Sequence, residues 1–172
     1  MRIRAETLKN IKAGRDQAKP VPVLIAWMRA LRLYFVIPSI LPALLGCVIA
    51  WAHGYPIHLF HFVLVVIGVT VNHFGLNLVD DVLDYRHAVD LQKGEEKNFF
   101  TGGSGVLPEG LLKDTQMLKA AALFFSMTVV IGVYLTYACG WPVLVLGLFG
   151  MLSSIFYTVP PVRFGYRGFG EA

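Results

Sequence analysis

The chain has 172 residues, a length that suits one soluble domain, but 56 % of them are hydrophobic and only 15 % charged, with 12 Phe, 7 Tyr and 3 Trp. A soluble surface needs roughly a quarter charged residues, so this composition excludes an ordinary water-soluble globule and makes lipid the solvent for much of the chain. The net charge of +4 is not a nucleic-acid footprint either, because the basic residues are sorted along the chain instead of gathered on one soluble face.

The first 22 residues are polar, contain Pro20 and Pro22, and offer no small-residue cleavage site after a short apolar core, so no cleavable signal peptide is expected. From Val23 to Tyr34 the chain mixes Trp27, Leu31 and Tyr34 with Arg29 and Arg32, which predicts a helix lying along the headgroups, with Arg32 as an interfacial anchor in preference to the alternative of a contact to substrate. No Asp, Glu, Lys or Arg then occurs between Arg32 and Asp80, nor between Lys119 and Arg163. Each gap exceeds the roughly 20 residues of one span. Each is also broken near its middle by a turn signal, His53-Gly54-Tyr55-Pro56 in the first and Gly140-Trp141-Pro142 in the second. The prediction is an all-α, polytopic membrane bundle of four transmembrane helices at about 33–52, 58–80, 118–138 and 142–159, with a cytoplasmic loop over 80–117. Cys47 and Cys139 fall inside predicted spans, where neither a disulfide framework nor a metal pair is indicated.

Topology follows from the 15 basic residues. Eight precede the first span, Arg86, Lys93, Lys97, Lys113 and Lys119 lie between the second and third, and Arg163 and Arg167 follow the fourth. The two short turns carry none. Loops rich in Lys and Arg stay cytoplasmic, so four spans with both termini inside place every basic residue on one side.

Where the second span meets the cytoplasm the chain reads Asn77-Leu78-Val79-Asp80-Asp81-Val82-Leu83-Asp84, then Asp90. Positions 77, 80, 81 and 84 are spaced i, i+3, i+4 and i+7, one polar stripe on a helix. Three carboxylates within about one turn repel one another, and ionisable groups at a membrane are costly unless paired, so a cation is expected among them. Mg²⁺ suits such a site, because it takes carboxylate oxygens, keeps several waters and bridges to substrate phosphates. The bland alternative is a solvated helix end, but acidic groups at a helix C-terminus oppose the dipole. His73, one turn earlier on the same stripe, reads as a polar residue packed between helices. Next comes Phe99-Phe100-Thr101-Gly102-Gly103-Ser104-Gly105-Val106-Leu107. Its backbone N–H groups, with Lys97 and Lys93, suit a phosphate cradle, and a plain flexible connector fits the same residues.

These motifs carry a resemblance over nearly the whole chain. Asn77-Leu-x-x-Asp81-x-x-Asp84 with Asp90, then Thr101-Gly-Gly-Ser-Gly, then Phe156-Tyr157-Thr158-Val159-Pro160-Pro161-Val162-Arg163 resemble, in that order, the N-terminal half of the UbiA superfamily of intramembrane aromatic prenyltransferases. Within it they are most similar to the 1,4-dihydroxy-2-naphthoate branch of menaquinone synthesis. The resemblance implies half of a larger helical bundle, in a bacterial plasma membrane, that transfers a polyprenyl group from its diphosphate to an aromatic acceptor. It implies Asp81, Asp84 and Asn77 as catalytic residues, Asp81, Asp84, Asp90 and Asn77 as ligands of Mg²⁺, and Asp80, Lys97, Gly102, Gly103, Ser104 and Arg163 as contacts to substrate. It also implies a second Asp-rich motif on a later helix, so the 172 residues are expected to be truncated, inactive alone, or completed by a second chain. Two other readings remain open at this point: another acceptor, such as 4-hydroxybenzoate or a haem or chlorophyll precursor, and a non-catalytic membrane module that binds a divalent cation.

Overall fold

In the hydrocarbon region no water is available to bond backbone groups, so a spanning chain bonds them within each segment. The computed structural model describes residues 21–86 and 103–158, and all regular structure among these is helical. The expected roles of Asp90, Lys93, Lys97, Thr101, Gly102 and Arg163 lie outside the described residues.

Helix α1 spans Val23–Ala30 and buries Ala26 and Ala30. It closes at Leu31, whose N–H donates to Trp27 O at 2.9 Å. Arg32 then takes the left-handed conformation, φ 50° and ψ 53°, and a single 3-10 turn over Leu33–Phe35 leads into α2, Val36–Ala52. The reversal at Arg32 explains why the first long helix starts at 36 and not at the expected 33. Pro42 lies inside α2 and lacks an N–H to donate to the preceding turn. Such a gap is tolerated in lipid where neighbours or local adjustment satisfy the freed carbonyl. Gly54, with φ 80°, makes the turn to α3, Leu59–Arg86. With 28 residues and a rise of 1.5 Å each, α3 is about 42 Å long, more than the roughly 30 Å hydrocarbon thickness. Its last turns, which carry the acidic stripe, therefore extend past the apolar slab.

The loop from 103 to 113 returns the chain to α4, Asp114–Cys139. The start of α4 is capped by Gln116 Oε1, which accepts the Lys113 N–H at 3.0 Å, and Asp114 in the first turn complements the helix dipole. Gly140, with φ 95°, ends α4, and Pro142 sits in the first turn of α5, Trp141–Thr158. Among the described residues three segments are long and apolar enough to cross a membrane, Val23–Ala52, Leu59–Arg86 and Asp114–Cys139, and a shorter apolar stretch, Trp141–Ser153, lies in α5. The chain is an integral membrane helical bundle.

Helix α3 packs along α4, with α2 also against α3 and α5 against α4. Lipid tails are as apolar as Leu, so helices in a bilayer associate where small residues let backbones approach. Gly75 fits this rule, because a Cβ there would meet the Phe125 ring at 3.2 Å. Gly75→Leu overpacks that contact and is expected to cost about 1–3 kcal/mol, read as a lowered thermal midpoint in nanodiscs; an unchanged midpoint would mean the α3–α4 contact is looser than described.

Large apolar side chains on α2 and α5 are mostly exposed, and α2 buries none. The buried core instead gathers at the end of the bundle that holds the acidic stripe. It joins Ala26 and Ala30 of α1, Leu78 and Val82 of α3, Val106, Leu107 and Leu112 of the loop, and Met117 and Ala121 of α4.

Candidate functional site

Because α3 stays helical to Arg86, positions 77, 80, 81 and 84 share one stripe, as the spacing predicts. The packing sorts them by depth. Asp81 is only 3 % exposed and Asn77 8 %, whereas Asp80 and Asp84 are half-buried. Leu78 and Val82, fully buried on the adjoining face, fix the rotation of α3 and hold Asp81 inward.

Two donors converge on Asp81 Oδ1. Arg32 Nη2 donates at 2.7 Å and the Ser104 backbone N–H at 3.2 Å. The same Arg32 nitrogen lies 3.6 Å from Asp80 Oδ2. Asn77 Nδ2 donates to Leu31 O at 3.2 Å, tying the helix to the residue just before Arg32. Arg32 is the site residue that sequence reasoning missed. It was expected at the interface as an anchor, and it proves to be a counter-charge for the acidic stripe, reaching it from 49 residues earlier in the chain. Its left-handed backbone is unusual for a side chain with a Cβ and costs roughly 1–2 kcal/mol, which the surrounding contacts must outweigh.

The loop of Gly103 and Ser104 is packed, not a loose connector: Val106, Leu107 and Leu112 enter the core, and Gly105 and Gly110 turn it through positive φ of 76° and 70°. Arg29 straps it to α1. Its two terminal nitrogens donate to the two carboxylate oxygens of Glu109, both at 2.8 Å, and one also donates to Ser104 O at 3.0 Å. Arg29 thereby holds Ser104, whose N–H holds Asp81. Arg86 is engaged elsewhere, 2.9 Å from Asp114, joining the end of α3 to the start of α4. His73 Nδ1 lies 3.0 Å from Ser39 Oγ, linking α3 to α2.

Among the described residues no three His, Cys, Asp or Glu side chains converge on one metal position. The donor chemistry nevertheless fits a hard divalent ion bound through one or two carboxylates. Asp81 Oδ2 is buried with no hydrogen-bond partner among the described residues, a carboxylate oxygen open to a ligand. Arg32 Nε is likewise buried and unpartnered there, a donor of the kind that takes a phosphate oxygen. Mg²⁺ completes its shell with water and phosphate oxygens, so a preformed protein cage is not required.

Apolar helices with a buried aspartate beside an arginine at one end define an integral membrane protein with an acidic site at that end. The chain belongs to the UbiA prenyltransferase family, whose model matches residues 39–172. Over 133 residues it is 25 % identical to the 1,4-dihydroxy-2-naphthoate octaprenyltransferase of Bacillus subtilis (strain 168), a match covering 77 % of this chain and 40 % of that protein. The chain thus spans about two fifths of the length of the curated relative it matches. No solved structure matches it.

Proposed function

We propose that these residues belong to an enzyme that transfers a polyprenyl group from its diphosphate to 1,4-dihydroxy-2-naphthoate, the step that joins ring and tail of menaquinone. Support comes from the family and from one observation above the others: Asp81 is buried at the end of α3 with an oxygen left unpartnered among the described residues. Asp81 and Asp84, with Asp90 and Asn77 from the motif, are assigned to Mg²⁺, and Asp80, Lys97, Gly102, Gly103, Ser104 and Arg163 to substrate. An Mg²⁺ ion held by these residues would supply positive charge to the diphosphate leaving group.

The chain's own residues supply the rest. Ser104 N–H and Asn77 fix the acidic stripe, beside which departure of the diphosphate would leave an allylic cation. Tyr34, Phe74 and Tyr157 are aromatic residues suited to cation–π contact with it. A cation-passing module is disfavoured by the spans themselves. The hydroxyls of Ser126, Thr128 and Thr136 on α4 donate back to carbonyls four residues earlier in their own helix. The partners are the bilayer, a polyprenyl diphosphate, the aromatic acceptor, and the polypeptide, continuous or separate, that completes the site. The acidic loop and residues 1–22 are assigned to the cytoplasmic side of a bacterial plasma membrane.

The test is an assay of the complete enzyme in nanodiscs with Mg²⁺, a polyprenyl diphosphate and 1,4-dihydroxy-2-naphthoate. Prenylated naphthoate is expected, abolished by EDTA, restored by Mg²⁺, and reduced at least about 100-fold by Asp84→Ala. Turnover that survives both EDTA and Asp84→Ala excludes the reading.

A further inference from the structure

We infer that Arg32 is a built-in occupant of the metal position: its guanidinium holds Asp81 when the site is empty, and must leave Asp81 for a divalent ion to bind. This rests on the reading of the acidic stripe as a divalent-ion site.

Three observations meet here. Arg32 Nη2 sits 2.7 Å from Asp81 Oδ1 and 3.6 Å from Asp80 Oδ2, so one positive group bridges a carboxylate assigned to the metal and its neighbour assigned to substrate. A guanidinium and a divalent ion compete for the same negative oxygens, and two cations so close repel each other. The bridge is also incompletely satisfied. Asp81 Oδ2 and Arg32 Nε are both buried without a partner among the described residues, although a guanidinium and a carboxylate side by side ordinarily form two parallel bonds. Finally, the backbone at Arg32 is left-handed, a conformation held against its own preference. The contact is thus a tense resting arrangement with one unmet acceptor and one unmet donor.

Exchange satisfies both. Asp81 gives up Arg32 for the divalent ion, and the released guanidinium, with Nε available, turns to the oxygens of the diphosphate that arrives with that ion. The hinge for this movement is the Leu31–Phe35 segment between α1 and α2, where the chain already departs from regular α-helix. No covalent step is involved. Arg32 acts as a positioning residue whose two partners are used in turn, so ionisation of the diphosphate is coupled to the site's being fully loaded.

The exchange predicts effects of opposite sign from one substitution. Mg²⁺ alone, titrated calorimetrically into the complete protein in nanodiscs, is expected to bind Arg32→Gln about tenfold more tightly than wild type, because the competitor is gone. Inorganic pyrophosphate, titrated in saturating Mg²⁺, is expected to bind the same variant about tenfold more weakly. Arg32→Lys, which keeps the charge, should stay near wild type for Mg²⁺. A purely structural arginine weakens both ligands together, and weaker or unchanged Mg²⁺ binding in Arg32→Gln overturns the inference.

A readout on wild type covers the case in which the variant does not fold. Phenylglyoxal modification of Arg32, followed by mass spectrometry, should accelerate in Mg²⁺ alone and slow again when pyrophosphate is added. A rate indifferent to Mg²⁺ overturns the exchange. If wild type binds Mg²⁺ and Asp81→Asn loses it, while Arg32 responds to neither ligand, the exchange alone fails. If wild type binds no Mg²⁺ at all, the proposed function fails and this inference with it.

Discussion

Asp81→Ala is expected to lower prenyl transfer at least about 100-fold and to destabilise the protein as well, and the two losses separate in a double variant. The activity loss follows from removing the one deeply buried carboxylate of the stripe. The stability loss follows from Arg32, which keeps its charge in a largely enclosed position after its 2.7 Å partner is gone. Breaking a buried ion pair from one side costs about 3–5 kcal/mol. Arg32 retains 22 % side-chain exposure, so roughly 2 kcal/mol is the better expectation. Removing the other partner too, in Asp81→Ala with Arg32→Gln, leaves neither member of that pair stranded, although the half-buried Asp80 loses its 3.6 Å contact. Thermal midpoints followed by tryptophan fluorescence in nanodiscs should therefore recover much of their loss in the double variant, with turnover still absent. A double variant as unstable as the sum of the singles would show that the pair is not coupled.

Arg29 gives the second large effect. It touches none of the carboxylates of the stripe, but it grips Glu109 through both nitrogens and Ser104 through its carbonyl. Ser104 in turn donates to Asp81. Arg29→Ala frees the loop at the point where it meets the site, and displacements near 1 Å can cost about 100-fold in rate. A loss of about 10- to 100-fold in kcat is expected. The stability cost should be small, about 1 kcal/mol or less, because the pair is one-third exposed. Arg29→Lys keeps the charge but not the planar fork and should be nearly as damaging. Exchanging the partners, Arg29→Glu with Glu109→Arg, is expected to restore only the strap and not the bond to Ser104 O, giving partial recovery. Full activity in Arg29→Ala would mean that Ser104 holds its place through Val106 and Leu107 alone.

Much of this architecture is legible in the sequence because lipid is an unforgiving solvent. The charge-free stretches, the turns at Gly54 and Gly140 within them, and the i, i+3, i+4, i+7 spacing of Asn77, Asp80, Asp81 and Asp84 each leave little choice of structure. The helix boundaries are less legible, since α3 runs on to Arg86 through acidic residues that a hydropathy argument excludes from the span. The depth of Asp81 relative to Asp80 is not legible either. It is set by Leu78, Val82, Val106 and Met117 packing on one side of the helix end, which are long-range contacts. The Arg32 counter-charge is not legible from the acidic stripe itself, because it comes from 49 residues earlier in the chain and not from the same helix. A signal was present. Helices α2 and α3 form an antiparallel hairpin turning at residues 53–56, so a residue about 23 before the turn lies level with one about 23 after it, and that pairs position 32 with the acidic stripe.

The crowding of buried side chains at one end of the bundle has a consequence for how the molecule comes apart. Resistance to opening tracks local packing, and sparsely packed elements open first. The far ends of α2 and α5 lean on acyl chains more than on protein, so stripping lipid loosens those ends while the knot around Leu78, Val106 and Met117 persists. A melting curve taken in detergent therefore reports the survival of that knot. Helices splayed at the opposite face can go unnoticed in it, and a preparation can look well folded by that measure after its membrane-facing architecture has been lost.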